Sequence, residues 1–410
     1  MKFCIVTFGC KVNQYESNMM KENMLHHNFL YEEKLDNSDI IIVNTCTVTN
    51  TADKKCLKEI RRIKREYPNK ILVVVGCSVQ YKKESYENMG IDILLGNKNK
   101  GHIGDLIEDF INTKNKYAYI DNKRSTIFED MHIKSFNHIR AFMKIEDGCD
   151  NFCSYCIIPY VRGSVRSKDF ETCIKEAKTL VDSGHKEIVL TGIHTGRYEN
   201  NGHDLTDLIN ELSTIDALKR IRISSIEITE LNDKFMKLLK NNPKICDHLH
   251  IPLQSGSNEI LKKMNRKYDK EYFKNKINMI RLIRPSISIT TDIIVGFPGE
   301  TDELFNECLE FAKEIKFSKI HVFPYSMRIG TAAAGMPNQV SESIKKSRVQ
   351  ELINLSNELE KEYYNKFKGK CLDVLIEENH NNKSIGHTSN YLKVEINEIL
   401  EKGQIYNKVI

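Results

Sequence analysis

Three cysteines lie within eight residues of one another near the middle of the chain. Cys149, Cys153 and Cys156 have the spacing Cx3Cx2C. Three thiolates at this spacing can hold three irons of a cuboidal iron–sulfur cluster and leave the fourth iron open to a small molecule. A structural zinc site needs four protein ligands, and the next cysteine, Cys173, falls in a predicted helix. The spacing therefore favours a reactive iron–sulfur site over structural zinc or three unrelated thiols.

A second group of three cysteines is spread over the first 80 residues. Cys10, Cys46 and Cys77 each follow a predicted strand by two or three residues. Because open parallel sheets bind ligands at the carboxyl ends of their strands, these thiols are expected to converge on one sheet edge. They predict a second iron–sulfur site with an open iron; the alternative is three ordinary buried cysteines. The other six cysteines fall inside predicted elements and are interpreted as packing residues: Cys4, Cys56, Cys173, Cys246, Cys308 and Cys371.

The composition is typical of a folded protein in a reducing compartment. The 410 residues are 40% hydrophobic and 29% charged, with 61 Lys+Arg against 56 Asp+Glu. The resulting net charge of +5 is too small to indicate a nucleic-acid partner by itself. No apolar run approaches the ~18 residues of a membrane span, and the first residues do not resemble a signal peptide. We therefore expect a cytoplasmic protein without a membrane partner, in which clustered cysteines bind metal more often than they form disulfides.

The elements that position these cysteines predict an α/β chain of three units. Residues 1–115 alternate short apolar strands with helices, which predicts a small doubly wound domain with a parallel sheet. Residues 115–135 are polar and are interpreted as a linker. Residues 135–365 contain six βα units, fewer than a complete barrel needs, and predict a partial barrel. Residues 366–410 predict a short β module. The barrel strands are expected over 140–145, 187–190, 221–225, 248–251, 287–295 and 319–323, and those of the β module over 371–376, 384–387 and 391–396.

The Cx3Cx2C cluster, with the aromatic Tyr155 before its last cysteine, resembles the radical S-adenosylmethionine superfamily. Within it, the chain resembles the methylthiotransferases over essentially its whole length. Val48-Thr49 and the stretch KVNQYE at 11–16 resemble most the branch that acts on N6-threonylcarbamoyladenosine in tRNA. The other matching stretches are 9–17, 44–49, 76–77, 223–227, 248–257, 292–301 and 325–331.

This resemblance implies a fold, cofactors and a reaction. It implies a partial (βα)6 radical-SAM barrel with a 4Fe–4S cluster on the Cx3Cx2C cysteines that binds S-adenosylmethionine. It also implies an auxiliary 4Fe–4S cluster on the three cysteines of the first domain. The reaction would be methylthiolation of C2 of the modified adenosine at tRNA position 37, with one S-adenosylmethionine as methyl donor and another as radical source. No catalytic side chain is assigned, because the C2 hydrogen is not acidic and a base cannot remove it.

The resemblance also implies partners. These are the tRNA anticodon stem-loop, a reductase or flavodoxin-type electron donor, and a sulfur donor that the sequence does not name. The tail lies where the family carries a small RNA-binding β-barrel, the TRAM domain. It has nearly equal numbers of basic and acidic residues, however, and is expected to end before a full barrel is complete.

Five residues are candidates for binding S-adenosylmethionine: Tyr155, Glu227, Gly296, Gly299 and Arg328. Glu227, at a strand end, can bond a ribose hydroxyl or the amino group; the alternative is a salt bridge at the barrel rim. The turn of Gly296 and Gly299 can approach the adenosyl group, or simply connect a strand to a helix. His248 and His250 point the same way from one strand, either towards the cofactor or as satisfied core histidines.

Two basic stretches, 54–70 and 262–284, are candidates for phosphate contacts. Tyr268 and Tyr272 in the second stretch can stack on bases. The alternative for both stretches is an ordinary solvated helix face.

Two other functions stay open on the sequence. The sister reaction on an aspartate of a ribosomal protein is compatible with the barely basic tail. A non-catalytic iron–sulfur or zinc RNA-binding module would share the cysteines without the chemistry.

Overall fold

The first sheet of the protein is wholly parallel. The structure is a computed structural model that describes residues 1–121, 127–129 and 131–410. The strand order of this sheet is β2-β1-β3-β4-β5-β6, which reverses direction between β1 and β3. Open sheets bind ligands in the crevice at such a reversal point. The strands are β1 (Lys2–Thr7), β2 (Leu30–Tyr31), β3 (Ile40–Thr45), β4 (Ile71–Gly76), β5 (Ile93–Leu95) and β6 (Tyr117–Tyr119).

Helices cover both faces of this sheet, as the unbroken apolar strands predict. Ile41 and Val43 pack on one face with Ile60 and Ile63. The alternate residues of β3 face the opposite core, which is continuous with the core of the barrel. The helices are α1 (Lys11–His26), α2 (Asn50–Glu66), α3 (Cys77–Tyr81), α4 (Glu84–Glu87) and α5 (Ile103–Thr113).

The stretch interpreted as a linker is partly ordered structure. Residues 122–126 and 130 lie outside the described residues. Tyr117–Tyr119 extends the first sheet, and Met131 and Ile133 are buried against the shared core. The linker interpretation is therefore wrong for these residues, because a three-residue strand and isolated apolar residues give no periodic signal in a polar stretch.

The second unit is a partial barrel of six parallel strands, as predicted, and is called the half-barrel from here on. The described residues place its six parallel strands in two sets, β7-β8-β9 and β10-β11-β12. A parallel bridge between Ile221 and Ile245 joins the sets. The strands are β7 (Ala141–Lys144), β8 (Glu187–Thr191), β9 (Arg220–Ile223), β10 (His248–His250), β11 (Ser288–Val295) and β12 (Lys319–Pro324).

Helices surround the half-barrel and begin at strong caps. Asp169, Asn232, Asp269 and Thr301 each accept a hydrogen bond from the first turn of the helix that follows. The helices are α6 (Ile158–Arg162), α7 (Phe170–Asp182), α8 (Leu205–Ser213), α9 (Asp233–Asn241), α10 (Asn258–Lys263), α11 (Lys270–Ile283), α12 (Asp302–Ile315) and α13 (Glu342–Asn365).

The tail is an antiparallel sheet docked on the amino-terminal end of the half-barrel. Arg220, at the start of β9, donates to the carbonyl oxygens of His387 and Asp373 at 3.0 and 2.6 Å. The three predicted strands are present, and a fourth, β16, pairs with β13, so the module is more complete than expected. Within the described residues the order is β15-β14-β13-β16. These strands are β13 (Cys371–His380), β14 (Lys383–Thr388), β15 (Lys393–Ile396) and β16 (Ile405–Val409).

No helix among the described residues combines the length and apolar character needed to cross a lipid bilayer.

Candidate active site

The three cysteines of the first domain converge at the reversal point of the sheet. Cys10 follows β1, Cys46 follows β3, and Cys77 opens α3 after β4. A methyl group on Gly9, at φ +109°, would lie 2.9 Å from Cys46 Sγ, so only glycine lets the two loops approach this closely. Burial, and then the neighbouring Cys77, raise the pKa of Cys46 to about 12. The convergence predicted from the sequence is confirmed, and thiols packed this way need a bound cation to become thiolates.

The second group lies in the loop after β7, at the carboxyl end of the half-barrel. Gly148 begins this loop at φ +90°, and a Cβ there would lie 2.0 Å from the carbonyl oxygen of Ser164. Burial, and then the neighbouring Cys153, raise the pKa of Cys156 to about 12. The Cx3Cx2C loop therefore has the position that βα barrels use for chemistry.

The spacing of the sulfur atoms fits clusters better than single ions. A tetrahedral zinc holds sulfurs about 3.8 Å apart. In the described residues, neither cysteine group brings all three sulfurs within 4.8 Å of one another, whereas His194, Glu227 and Glu230 do bring their ligand atoms that close. A single tetrahedral ion held by three cysteines would need closer sulfurs, whereas a cluster binds each cysteine through a different iron.

Hydrogen-bonding side chains surround the Cx3Cx2C loop. His194 Nδ1 lies 3.6 Å from Cys149 Sγ, and Arg266 Nη1 lies 3.3 Å from Cys153 Sγ. Glu227 pairs with both His194 and Arg266 at 3.3 Å. Burial opposes the charge on His194, but its contact with Cys149 and the carboxylates of Glu227 and Glu230, which accept from the ring, raise its pKa to about 12. Two cations therefore lie against the loop sulfurs, held there by buried carboxylates.

A cavity of about 180 Å³ lies between the first domain and the half-barrel. Val48 and Thr49, which follow Cys46, form part of its wall. Tyr155 and Cys156 form another part, and Asp292 reaches it from β11. The cavity thus contains one cysteine of the Cx3Cx2C loop, and its opposite wall begins two residues after Cys46.

Comparisons with known proteins bear on this arrangement. Residues 143–312 match the radical SAM superfamily, and residues 2–96 match the family described as Uncharacterized protein family UPF0004. The chain is 42% identical to threonylcarbamoyladenosine tRNA methylthiotransferase MtaB of Bacillus subtilis, over 95% of this chain and 88% of that protein. It is 35% identical to the Aquifex aeolicus protein of the same name over 100% of both chains. The chain belongs to the methylthiotransferase family of radical S-adenosylmethionine enzymes.

Relatives in two branches of the family are similar to this methylthiotransferase. It is 37% identical to the tRNA-2-methylthio-N(6)-dimethylallyladenosine synthase of Thermoanaerobacter pseudethanolicus, over 91% of this chain and 81% of that protein. Membership in the radical SAM superfamily implies a 4Fe–4S cluster and S-adenosylmethionine.

A solved structure supports the fold. The radical S-adenosylmethionine methyltransferase TsrM from Kitasatospora setae matches with a TM-score of 0.61 at 13% identity. The match covers 81% of this chain and 77% of that one.

Two of the candidate cofactor contacts lie in the site. Tyr155 lines the cavity beside Cys156. Glu227 lies beside the Cx3Cx2C loop, where it also accepts a 2.5 Å hydrogen bond from Asn151. The salt bridge considered as the alternative for Glu227 is present too, so this carboxylate combines a rim ion pair with a place in the site.

The three other candidates contact neighbouring protein elements, and their binding of S-adenosylmethionine stays a prediction. A Cβ on Gly296 would lie 2.3 Å from Lys345 Cγ, and one on Gly299 would lie 2.8 Å from Lys263 Nζ. Their turn packs on the neighbouring helices, as a simple strand-to-helix connection does. Arg328 is 2% exposed and binds the first domain through Asn50, Thr47 and Asp53. These contacts hold the two units together, and binding of S-adenosylmethionine by Arg328 stays a prediction.

The inner face of the half-barrel carries imidazole rings and cations. His248 Nε2 and His250 Nδ1 both lie 2.9 Å from Thr290 Oγ1, which supports the interpretation as hydrogen-bonded core histidines, although Nδ1 of His248 has no partner among the described residues. Their orientation towards the cofactor stays a prediction. Tyr391 of the tail stacks on His248 with 4.6 Å between ring centres. Lys11, next to Cys10, interacts electrostatically with Tyr391 and His248.

The two basic stretches differ in the structure. In 54–70 the exposed face of α2 carries Lys54, Lys55, Lys58 and Arg61. In 262–284 most cations have partners, such as Glu307 for Lys270 and Glu314 for Lys274. The hydroxyl of the buried Tyr268 donates to backbone carbonyls, which excludes the predicted stacking on bases. Tyr272 is 39% exposed.

Sequence reasoning missed His194 and Glu230 and took Arg266 only as part of a basic stretch. His194 and Glu230 lie in the loops that follow β8 and β9. Their position after barrel strands was the available signal, since those ends carry the active site.

Proposed function

We propose that this protein is a tRNA methylthiotransferase that acts at C2 of N6-threonylcarbamoyladenosine at position 37. The observation that carries the proposal is the cavity between the first domain and the half-barrel, at the Cx3Cx2C loop. Cys156 and Tyr155 bound it on the half-barrel side, and Val48 and Thr49 continue from Cys46 on the other side. A base in this cavity would have the Cx3Cx2C loop on one side and the segment after Cys46 on the other.

The two groups are proposed to hold two 4Fe–4S clusters. Cys149, Cys153 and Cys156 would hold the cluster whose open iron binds S-adenosylmethionine, and the three cysteines of the first domain would hold the auxiliary cluster. When bound, the first cluster would pass the electron that cleaves S-adenosylmethionine to a hydrogen-abstracting radical, and the auxiliary cluster would hold the sulfur that is methylated and transferred. A second S-adenosylmethionine is proposed as the methyl donor.

The chain's own residues are proposed to bind, orient and exclude water. His194 and Arg266 place N–H donors 3.6 and 3.3 Å from sulfurs of the Cx3Cx2C loop, which lowers the cost of burying negative charge there. Tyr155 forms an aromatic wall of the cavity. No side-chain base is required, because the C2 hydrogen is removed as an atom.

The charge of the inner face supports the choice of adenosine. A threonylcarbamoyl group carries a carboxylate, whereas a dimethylallyl group is apolar. Lys11, His248 and His321 lie near one another on this inner face. Cations and imidazoles stabilise a carboxylate and give an alkenyl chain no comparable contact.

Mass analysis of modified nucleosides tests the proposal. The anaerobically reconstituted protein is incubated with S-adenosylmethionine, a reductant, and tRNA bearing either threonylcarbamoyladenosine or dimethylallyladenosine. We expect the mass increase of one methylthio group on the first substrate. Product only from the dimethylallyladenosine tRNA would assign the protein to the dimethylallyladenosine branch. Product from neither tRNA, together with methylthiolation of a ribosomal-protein aspartate, would overturn the tRNA assignment.

Iron analysis tests the cofactors separately. We expect about eight irons per chain, as two 4Fe–4S clusters require. Replacing Cys149, Cys153 and Cys156 by Ala should halve the iron and abolish cleavage of S-adenosylmethionine. Replacing the other three cysteines should halve the iron but leave cleavage intact. Zinc in place of iron would favour the non-catalytic module.

A further inference from the structure

A buried network of charges lies between the two cysteine groups. Its members come from both units, and their side chains are between 0% and 8% exposed. We call it the Arg162 network; it consists of Glu16, Lys100, Lys144, Asp147, Arg162 and Arg166. Burying so many charges is costly unless each has a partner, so the arrangement calls for a reason.

Arg162 is the centre of this network and contacts a cysteine directly. Its Nε donates to Cys77 Sγ at 3.2 Å. Its Nη1 donates to Glu16 at 2.8 Å and to Asp147 at 3.1 Å. Its Nη2 donates to Asn13 Oδ1 at 2.8 Å. Every nitrogen of the guanidinium thus has a fixed direction, with Nε aimed at the sulfur.

Asn13 extends this contact to the rest of the first cysteine group. Its amide nitrogen donates to the carbonyl oxygens of Phe8 at 2.8 Å and Thr45 at 2.9 Å. These carbonyls belong to the segments that lead into Cys10 and Cys46. Arg162 therefore touches one cysteine and, through Asn13, holds the loops of the other two.

The network has more positive than negative charge. Four cations, Lys100, Lys144, Arg162 and Arg166, contact two carboxylates, Glu16 and Asp147. The nearby Glu129 reduces the surplus by one. An uncompensated buried charge is strongly unfavourable. Thiolate sulfur at Cys77 would supply the missing negative charge.

Arg162 also belongs to the segment that carries the other cysteine group. It ends α6, six residues after Cys156, and α6 packs on α3 through Val161, Ile157 and Cys77. Asp147, which accepts from Arg162, is two residues before Cys149. The same guanidinium therefore connects the two loops.

We infer that Arg162 is a positioning residue that donates to the Cys77 thiolate and raises the reduction potential of the cluster on Cys10, Cys46 and Cys77. The inference rests on the auxiliary cluster of the proposed function. A hydrogen bond and a positive charge at a ligand sulfur stabilise the reduced cluster, which is the more negative state. Arg162 touches neither substrate nor S-adenosylmethionine in this assignment.

Redox titration of the isolated auxiliary cluster tests the inference. The full chain with Cys149, Cys153 and Cys156 replaced by Ala is loaded with iron and sulfide under argon and titrated by electron paramagnetic resonance. In this background Arg162→Gln should make reduction about tenfold less favourable, which is about 59 mV for a one-electron couple. Arg162→Lys, which keeps the charge but loses the directed Nε–H, should shift the potential in the same direction by less.

Arg166→Gln is the matched control. It removes an equal charge and an Asp147 contact at 2.9 Å, and its guanidinium has no contact with Cys77 among the described residues. The reduction potential of Arg166→Gln should therefore shift less from that of the background protein than the reduction potential of Arg162→Gln.

The outcomes separate the inference from the proposed function. An unchanged potential in Arg162→Gln, or equal shifts in Arg162→Gln and Arg166→Gln, would overturn the inference and leave the function standing. If Arg162→Gln does not fold or does not bind the cluster, Arg162→Lys tests the inference. A reduction potential of Arg162→Lys equal to that of the background protein would then contradict the role of the hydrogen bond. If the background protein itself binds no cluster, the auxiliary cluster of the proposed function fails.

Discussion

At the scale of single residues, Lys11 is a cation without an acidic partner among the described residues. It follows Cys10 directly and lies near Tyr391, Arg140 and Arg222. Arg140 and Arg222 have carboxylate partners in Glu377 and Glu187, whereas Lys11 has none. A lysine kept half-buried among other cations is free to bind an anion that arrives with the substrate.

Replacing Lys11 by Gln should weaken binding of the threonylcarbamoyl group. A hydrogen bond to a charged group contributes about 1.5–3 kcal/mol, so affinity should fall by roughly 10- to 100-fold. Fluorescence anisotropy with an anticodon stem-loop bearing threonylcarbamoyladenosine measures this. The same stem-loop with plain adenosine should bind both proteins equally, and an equal loss on both RNAs would mean that Lys11 contacts phosphate instead.

The residues that could be predicted from the sequence are those whose chemistry is local. Cys149, Cys153 and Cys156 lie close together along the chain, and each cysteine of the first domain follows a strand. Arg162 could not be found this way, because its partners Glu16 and Cys77 come from another unit. The contacts of Arg328 with the first domain could not be found this way either, since only the packing of the two units brings it to Asp53.

At the scale of elements, helix α2 presents the clearest basic surface. It begins one residue after Thr49, which lines the cavity, so its basic face leads away from the cavity mouth. Lys54 and Lys58 lie on that exposed face, one helical turn apart. An anticodon stem with its loop in the cavity could place phosphates along this face.

Charge reversal on α2 should therefore weaken tRNA binding. Lys54→Glu with Lys58→Glu removes about two phosphate contacts and should lower the slope of log affinity against log salt by about 2. Filter binding at several salt concentrations measures the slope. The matched control reverses Lys237 and Lys240, which are exposed on α9 at the outside of the barrel. Equal losses in both variants would indicate a general charge effect and contradict a footprint on α2.

Long, patterned elements were predictable, and short or isolated ones were not. The strand predicted over 287–295 agrees with the structure, which places it at Ser288–Val295, because its apolar pattern is strong. Strands β6 and β16 were missed because few apolar residues mark them, and their positions depend on the strands that they join. The stretch 262–284 was a candidate for phosphate contacts because it has many cations. Charge counts do not show which of these cations already have carboxylate partners.

At the scale of the whole molecule, the two other units enclose the half-barrel. The first domain binds its carboxyl-terminal side, where Asn50 accepts a hydrogen bond from Arg328. The tail covers the amino-terminal end, where Arg222 donates to the carbonyl oxygens of Thr388 and Ser389. The interior is thus bounded at both ends, which suits radical chemistry that must exclude water and stray hydrogen donors.

Tyr391 is the residue by which the tail closes this interior. Its ring stacks between His248 and His387, with 4.6 and 5.0 Å between ring centres. The guanidinium of Arg222 lies 4.8 Å from the ring centre. The backbone φ of Tyr391 is +66°, which is unfavourable for a tyrosine. The ring contacts therefore hold Tyr391 in a conformation that the turn alone would not favour.

Replacing Tyr391 by Ala should open the amino-terminal end of the interior. The loss of ring packing should cost about 3 kcal/mol of stability, and reductant or buffer molecules that enter with the solvent should donate a hydrogen atom to the radical before sulfur transfer. We expect the ratio of 5′-deoxyadenosine to methylthiolated nucleoside to rise, measured for both products in one reaction by mass spectrometry. Tyr391→Phe keeps the stacked ring and should retain the parent ratio. A Tyr391→Ala protein that is less stable but has an unchanged ratio would show that the tail supports the fold without sealing the interior.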